Sequence, residues 1–288
     1  MFKISINPKT KIPLDKVGID MGQSISKLAY LEEENLILSS FPTISSASII
    51  KEFINSNKDQ FNYLNFTGGK SFNLCKEYSS IFKTKLIDEF RSNVKGVEYL
   101  YRNEKQKEIP RCLVVTIGTG TSIVLKDTES EHIGGSALGG GFFMGLIKLL
   151  FNLDDFHQAI NLAKKGSRYN IDLKVSDIYD AEDNRVDLLF KEFTAASLGK
   201  VNGTCNVANL KKEDILNSII CLIGENIGIM AILMANNKTI KNIVFSGGFL
   251  KENKILKKIL SPLCKINQKR AIFLKNSEFC AAIGALLM

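Results

Sequence analysis

Residues 17–30 read VGIDMGQSISKLAY, which predicts an apolar strand, a short turn and a second strand. The turn carries Asp20, Gly22 and Ser24, and Lys27 follows on the second strand. Small residues and free backbone N–H groups let a polyphosphate approach such a turn, and a nearby carboxylate can hold a metal ion. The alternative at this point is an ordinary hairpin, because Asp and Gly are common in turns.

Two later strand ends repeat this layout. Residues 114–124 read VVTIGTGTSIV, and residues 243–249 read IVFSGGF. Each has an apolar strand followed by hydroxyl residues and glycines. Three strand ends of one type predict a single nucleotide cleft.

A glycine-rich segment, GGSALGGG at 134–141, leads into a predicted helix at 142–151. Glycines before a helix let a ligand pass close to the backbone, and the helix N-terminus favours an anion. The alternative is a connection whose glycines permit tight helix packing.

Strands and helices alternate through the chain, which predicts an α/β fold. The strand-strand-strand-helix order at the start recurs near residue 111, which predicts two lobes, 1–110 and 111–288, with a cleft between them. In the first lobe, Ser45 or Ser46 is expected to cap a helix. The predicted later helices include 91–101, 212–236 and 252–264, and the predicted later strands include 242–245 and 271–274.

Composition limits the possible functions. The chain has 288 residues, 45% of them hydrophobic and 24% charged, which is typical of a globular protein. Its formal charge of +8 suits an anionic partner, but the lysines are scattered and not interleaved with aromatics, so we expect no nucleic-acid binding. With two histidines and no Cys/His cluster, the pattern predicts no transition-metal site.

The cysteines and apolar segments point to a cytoplasmic protein outside the membrane. The six cysteines form no C-x-x-C pair and are expected to be buried thiols in a reducing compartment. The start of the chain lacks the apolar core of a signal peptide. The longest apolar stretch, 219–235, is interrupted by Glu225 and Asn226 and predicts a buried helix.

Three well-known motifs are excluded by single positions. Lys70 follows Gly69 as in a P-loop, but the first glycine of that motif is replaced by Leu64. A dinucleotide fingerprint would need glycine at Ile123, and a nucleophile elbow would need glycine at Leu138.

Glu89 is the candidate general base. It follows a predicted strand, a place that faces the ligand crevice in open α/β sheets, and a carboxylate there could accept a hydroxyl proton during phosphoryl transfer. The alternative is a solvated surface charge.

Seven segments together resemble the type II pantothenate kinases. They are, in chain order, GIDMGQSISK at 18–27, DEF at 88–90, IGTGTS at 117–122, GGSALGGG at 134–141, IDLKVSDIY at 171–179, TAASLG at 194–199 and SGGF at 246–249. The resemblance covers residues 16–288. It implies an actin-like (ribonuclease H-like), two-lobed ATPase fold with a nucleotide cleft, usually dimeric. Its members transfer the γ-phosphate of ATP, with Mg²⁺, to pantothenate in the first step of coenzyme A synthesis.

The resemblance also implies roles for individual residues. Glu89 would accept the proton, Asp20 would hold the metal ion, and His132 and Gly134 would contact the substrate. The implied nucleotide-binding residues are Asp20, Met21, Gly22, Gln23, Ser24, Ile25, Ser26, Lys27, Thr119, Ser122, Gly140, Gly141, Phe142, Phe143, Met144, Phe156 and Gly247.

Three residues depart from the family pattern. Gln23 replaces the second glycine of the first turn, a change expected to weaken ATP binding, and His132 stands where an Arg usually contacts the substrate. Arg91 stands where members of the family often have an Asp, and its positive charge is expected to favour the ionised form of Glu89. These departures leave two alternatives open: a kinase for another small hydroxyl substrate, such as pantetheine or an amino sugar, and a nucleotide- or coenzyme-A-sensing homologue without catalysis.

Overall fold

Two mixed β-sheets form the framework of the protein. The structure is a computed structural model that describes residues 2–5, 12–180, 182–183, 193–201 and 209–288. The first sheet has strand order β1-β4-β3-β2-β5-β6. Its strands are β1 (Phe2–Ser5), β2 (Lys16–Met21), β3 (Ile25–Glu32), β4 (Asn35–Pro42), β5 (Tyr63–Thr67) and β6 (Lys83–Leu86).

The second sheet follows later in the chain, and a short ribbon lies between its third and fourth strands in sequence. The strands are β7 (Cys112–Ile117), β8 (Thr121–Lys126), β9 (Ser130–Ser136), β10 (Leu173–Lys174), β11 (Thr194–Ala196), β12 (Asn242–Ser246) and β13 (Arg270–Phe273). The second sheet has the order β13-β12-β7-β8-β9, and β10 pairs with β11 as the ribbon.

Both sheets repeat one topology. In the first, β2, β3 and β4 form antiparallel pairs, and β5 and β6 continue the sheet in parallel from β2. In the second, β7, β8 and β9 are antiparallel, and β12 and β13 continue in parallel from β7. The strand arrangement of the first sheet therefore recurs after residue 111, as predicted. The carboxyl ends of β2, β5, β7 and β12 lead into the loops that are candidates for the functional site.

Eight α-helices lie in the described part of the chain. They are α1 (Thr43–Ser56), α2 (Phe72–Tyr78), α3 (Glu89–Lys105), α4 (Gly140–Phe151), α5 (Phe156–Ala163), α6 (Lys212–Asn237), α7 (Lys254–Ile266) and α8 (Cys280–Leu287). The later helices and strands predicted from the sequence agree to within a few residues.

The start of α1 differs from the predicted cap at Ser45 or Ser46. The helix begins at Thr43, directly after β4. Thr43 donates its backbone N–H to Ser24 O (2.9 Å) and its hydroxyl to Gly22 O (3.0 Å). Contacts with a distant turn thus set this boundary, and they also hold that turn in place.

Helices α3 and α8 pack against each other, and α8 also packs on the first sheet. Glycines allow the close approach: a Cβ at Gly96 would overlap Cys280 O, one at Gly284 would overlap Ser92 O, and one at Gly18 would overlap Ala282 O. The buried residues around this crossing include side chains of both sheets, such as Leu38 and Val114. The C-terminal helix therefore joins the two halves of the chain.

We expect Gly96→Ala to lower the free energy of unfolding by about 1–3 kcal/mol, because the new methyl group must displace the backbone of α8. Gly145→Ala is the matched control, since a Cβ at this helical glycine meets no atom within 4 Å. The control should be neutral or stabilising by up to about 1 kcal/mol. Urea denaturation followed by circular dichroism measures both, and equal effects would contradict the packing argument.

Helix α6 is the main apolar helix of the second half. Within the described residues it alone is long and apolar enough to cross a membrane by length and composition, yet 61% of its apolar window is buried. Its buried residues, such as Ile220 and Ile227, pack in one core with β7 and β12. Burial in the core accounts for its composition, as predicted for 219–235.

The cysteines of the described residues are free thiols. Cys112, Cys221, Cys264 and Cys280 are buried, and Cys75 is half-buried. Burial raises the pKa of Cys112 and Cys221 to about 12, which leaves both thiols protonated. The sixth cysteine, Cys205, lies outside the described residues.

Candidate functional site

The first phosphate turn (residues 20–27) holds a buried ion pair. Asp20, at the end of β2, is 3% exposed and lies opposite Lys27 of β3 in the hairpin register. Lys27 Nζ is 2.8 Å from Asp20 Oδ2. Burial by itself lowers the pKa of Lys27, but the charges of Asp20 and Glu89 outweigh it, so the pKa is raised. Lys27 therefore stays a cation beside a carboxylate.

Gln23 occupies the tip of the first phosphate turn and is exposed. It is not among the residues with a positive φ, so the backbone at this position does not require glycine. Within the same turn Met21 is buried, Ile25 is 44% exposed, and the buried Ser26 places its hydroxyl 3.2 Å from Thr43 Oγ1. Gln23 thus lies where a ligand could reach it without strain in the turn.

The second phosphate turn (residues 117–122) lies directly against the first. Thr119 Oγ1 is 3.2 Å from Ser24 Oγ, across 95 residues of sequence. Both side chains are exposed, and Ser122 is half-buried on the adjoining strand β8. The fold therefore brings together the two turns that the sequence predicted to share one nucleotide.

The glycines before α4 hydrogen-bond to the second phosphate turn and pack closely on it. Gly140 donates its N–H to Gly118 O (2.7 Å), and Gly141 donates to Thr119 O (2.8 Å). A Cβ at Gly139 would lie 2.7 Å from Thr119 O. The glycines thus permit close packing on the second phosphate turn, and the N–H groups of Gly140 and Gly141 are bonded within the protein.

The next residues of α4 face different surroundings. Phe142 is 39% exposed and Met144 is partly buried, whereas Phe143 is fully buried in the core, with its ring 5.5 Å from that of Phe249. The side chain of Phe143 therefore contributes packing, which corrects its predicted place among the nucleotide-binding side chains. The predicted ligand contacts of Gly140, Gly141, Phe142 and Met144 remain predictions.

Two further residues expected to bind the nucleotide, Gly247 and Phe156, are linked through Phe249. Gly247, at the end of β12, has φ +104°, and a Cβ there would lie 2.8 Å from Ile117 N. The ring of Phe156 lies 6.1 Å from that of Phe249, two residues beyond Gly247. Gly247 thus lies beside the second phosphate turn, and Phe156 lies near Phe249.

Glu89 is the first residue of α3, and Asp88 caps that helix by accepting the N–H of Arg91 at 2.8 Å. The side chain of Glu89 is exposed, yet its pKa is raised. Partial burial is the largest cause and the charge of Asp20 adds to it, while Lys27 acts in the opposite direction. These couplings place Glu89 in the same charge cluster as the first phosphate turn.

The expectation that Arg91 favours ionised Glu89 is wrong. Arg91 lines a groove of about 300 Å³ with Val94, Lys95 and Glu98, on another face of α3. It is not among the causes of the Glu89 shift, whose direction is upward. Helical geometry explains this, because residues two positions apart point to different sides.

The two residues predicted to contact the substrate lie in different surroundings. The ring of His132 stacks on Phe90, the neighbour of Glu89, with centroids 4.2 Å apart. A register shift in β9 separates it from Gly134, where a Cβ would lie 2.6 Å from Met234 Cε of α6. His132 therefore lies beside the helix that carries Glu89, while Gly134 is placed for close packing.

The predicted role of Glu89 as a general base implies that turnover is lost on the acid side at a pH above 4.5, the ordinary value for its pKa. A base must be ionised, and burial together with Asp20 keeps Glu89 protonated to higher pH. A profile of kcat/KM against pH checks this, and an acid limb at or below 4.5 would contradict it. For folding, the raised pKa means a stabilising contribution present at low pH that is lost as the pH rises through the folded value.

The loop after β5 also contacts the first phosphate turn, although no role was predicted for it from the sequence. Gly68 has φ +89°, and a Cβ there would lie 2.6 Å from Asp20 Oδ1 and from Met21 O. Glycine is thus required for the loop to touch the carboxylate. The available signal was Thr67-Gly68-Gly69, a fourth strand end of the same type.

A buried ionic network was also missed. Arg168 donates to Asp172 Oδ2 (2.6 Å) and makes two bonds to Glu225 of α6 (2.6 and 3.1 Å). Asp172 Oδ1 accepts the N–H of Leu198 (2.8 Å) and the hydroxyl of Ser218. The two family-like segments 171–179 and 194–199 are thus tied to α6, which gives them a structural role.

Comparison with known proteins decides the family. The Fumble family model matches residues 33–288. The chain is 34% identical over 273 residues to the type II pantothenate kinase of Bacillus cereus (strain G9842), covering 94% of this chain and 97% of the relative. The chain belongs to the type II pantothenate kinase family. A second member, from Oceanobacillus iheyensis, is 34% identical over 276 residues, covering 95% of this chain and 99% of the relative.

Solved structures confirm the predicted fold of this pantothenate kinase family member. The activator of the 2-hydroxyisocaproyl-CoA dehydratase from Clostridium difficile, with bound ADPNP, has a TM-score of 0.61 at 16% identity, covering 94% of this chain and 92% of that one. A ROK family glucokinase from Streptomyces griseus, with glucose and AMPPNP, has a TM-score of 0.56 at 9% identity, covering 94% and 97%. Both the family and the two-lobed α/β fold predicted from the motifs are confirmed.

Proposed function

We propose that the protein transfers the γ-phosphate of ATP to the primary hydroxyl of pantothenate, the first step of coenzyme A synthesis. The observation that carries the proposal is the charge cluster of Asp20, Lys27 and Glu89 beside two touching phosphate turns. Family membership supplies the substrate, since the curated relatives are named pantothenate kinases.

The residues fit a magnesium nucleotide. No group of three or more His, Cys, Asp or Glu side chains able to hold a metal occurs in the described ranges. Mg²⁺ needs no such group, because it usually binds through one or two carboxylates and the phosphates. Asp20 is the carboxylate in this position, and Mg²⁺ bound there would neutralise phosphate charge.

The side chains and backbone groups of the site have separate roles in the transfer. Lys27 adds a positive charge at the phosphates, and the backbone N–H groups and hydroxyls of the two turns orient them. Glu89 accepts the proton of the attacking hydroxyl. Because phosphoryl transfer depends mainly on positioning and charge, this small set is sufficient.

An ADP-release assay with Mg-ATP and pantothenate tests the proposal. We expect pantothenate-dependent release, confirmed by mass spectrometry of the phosphorylated product. Pantetheine and N-acetylglucosamine serve as alternative acceptors, and His132, which replaces a fixed charged fork, is the observation that favours including them. Nucleotide binding without turnover of any acceptor would instead support the sensing alternative.

We further propose that the enzyme acts in the cytoplasm as a homodimer. Large apolar side chains are exposed on α4 and α6: Leu149 (85%), Leu150 (53%), Ile229 (49%) and Leu233 (63%). Ile229 and Leu233 lie one turn apart on one face of α6, and adjacent exposed apolar side chains favour an interaction surface. The free buried thiols are consistent with a reducing compartment.

Multi-angle light scattering tests the dimer. The wild-type chain should have twice the monomer mass of 32.0 kDa. Leu149→Glu combined with Leu233→Glu should give a monomer, because charge in an apolar contact is costly. Ile81→Glu is the control, since Ile81 is 62% exposed in a different part of the fold. A monomeric wild type would overturn the proposal.

A further inference from the structure

Thr43, the first residue of α1, holds the first phosphate turn through three contacts. Its backbone N–H donates to Ser24 O at 2.9 Å, and its hydroxyl donates to Gly22 O at 3.0 Å. Its Oγ1 also lies 3.2 Å from Oγ of Ser26, which is fully buried. The single hydroxyl proton of Thr43 goes to Gly22 O, so Ser26 is the donor in the third contact. The turn is thus held on both sides of its exposed tip residue, Gln23.

Helix α1 gives Thr43 a fixed position. Strand β4 ends directly before Thr43, so the strand and the helix meet there. Farther along the helix, Ile50 and Ile54 are fully buried and pack in one core with Ile19 of β2 and Leu28 of β3. The helix and the hairpin that carries the turn therefore belong to one packed unit, and this core sets the position of Thr43 relative to the turn.

The bond to Gly22 O sets the direction of the next N–H group. The peptide between Gly22 and Gln23 is trans, so its C=O and N–H point to opposite sides. Because the C=O points to Thr43, the N–H of Gln23 points away from α1. In the part of the chain that the structure describes, this N–H donates to no protein group. It is a backbone donor at an exposed turn, which is the kind of group that binds phosphate oxygens.

Ser24 links the same arrangement to the second phosphate turn. Its carbonyl oxygen accepts the N–H of Thr43, while its Oγ lies 3.2 Å from Thr119 Oγ1. The backbone of Ser24 is therefore fixed on α1, and its hydroxyl reaches the other turn. A change at Thr43 would disturb the side of the first phosphate turn that meets the second.

We propose that Thr43 is a positioning residue for the nucleotide, which fixes the first phosphate turn so that the N–H of Gln23 can bind a phosphate oxygen of ATP. This inference rests on the proposed function, because it takes the two turns as the nucleotide site. It also gives a reason why glutamine is accepted at position 23. A backbone donor does not depend on the side chain, and the backbone there has no positive φ that would require glycine.

Titration calorimetry with Mg-ADP tests the assignment on Thr43→Val. Valine keeps the shape of threonine but can neither donate to Gly22 O nor accept from Ser26. We expect the Kd for Mg-ADP to rise about tenfold, because the loss of these bonds frees the phosphate-binding backbone. Thr43→Ser keeps the hydroxyl and should bind within about threefold of the wild type. Thr84→Val is the matched control, since Thr84 is half-buried on β6, outside the turn.

A second variant and a second readout separate positioning from a general loosening of the fold. Thr43→Ala removes the hydroxyl without placing a methyl group against Gly22 O, and it should weaken Mg-ADP binding to the same extent. In kinetic measurements, KM for ATP should rise in both variants, whereas KM for pantothenate should stay within about twofold. A general loosening would raise both KM values.

Three results would overturn the role of Thr43: an unchanged Kd in Thr43→Val and Thr43→Ala, an equal loss in Thr43→Ser or Thr84→Val, or an equal rise of KM for both substrates. If the wild type binds Mg-ADP but phosphorylates no acceptor, the proposed function fails while calorimetry still decides the role of Thr43. If the wild type does not bind Mg-ADP, both fail.

Discussion

Glu89→Gln should lower kcat for phosphoryl transfer by about 10²- to 10⁴-fold, the usual contribution of a positioned general base. Glutamine keeps the size of the side chain and its hydrogen-bonding capacity but cannot take the proton of the attacking hydroxyl. Nucleotide binding should remain, because the phosphates are expected to contact the two turns and Lys27. Titration calorimetry with Mg-ADP and single-turnover kinetics separate these effects.

The control for this variant is Glu98→Gln on the same helix. Glu98 lines the groove on another face of α3, so its loss should leave kcat unchanged. The acid limb of the pH profile gives an independent check, because it should disappear in Glu89→Gln if Glu89 causes it. Wild-type turnover in Glu89→Gln would remove Glu89 from the mechanism.

Asp172→Ala should lower the free energy of unfolding by about 3–5 kcal/mol. Asp172 is 1% exposed and accepts hydrogen bonds from Arg168, Leu198 and Ser218. Its removal leaves the buried Arg168 with Glu225 as its remaining carboxylate partner. It also removes the acceptor of the Leu198 N–H. Urea denaturation measures the loss, together with thermal unfolding.

Asp154→Ala provides the comparison for an exposed ion pair. Asp154 is 77% exposed and lies 3.0 Å from Lys148. Solvent screens this pair, so its loss should lower the free energy of unfolding far less than the loss of Asp172 does. Equal losses in the two variants would show that the Arg168 network does not hold segments 171–179 and 194–199 on α6.

Much of the candidate site follows from local sequence. The pairing of Asp20 with Lys27 is determined by a tight hairpin, whose register places residues of the two strands opposite each other. Glu89 follows a short strand, and its place at the start of a helix follows from the capping residue Asp88. Such features depend on residues close together in the chain.

Other features could not be predicted, since they depend on segments far apart in sequence. Gly140 and Gly141 give their N–H groups to the second phosphate turn, more than 20 positions earlier, and the loop at Gly68 touches Asp20. His132 was predicted at the substrate, but its stacking on Phe90 follows from the placement of β9 against α3.

The sequence by itself determined the α/β class, the repeated strand ends, the family and the turn that carries Asp20 and Lys27 on adjoining strands. These follow from periodicity, turn chemistry and motif order, which are properties of short segments. The tertiary structure alone decided that Phe143 packs in the core, that Arg91 points away from Glu89, and that the glycines before α4 bond to the second phosphate turn. The physical reason is that the direction and partners of a side chain depend on which distant elements pack beside it.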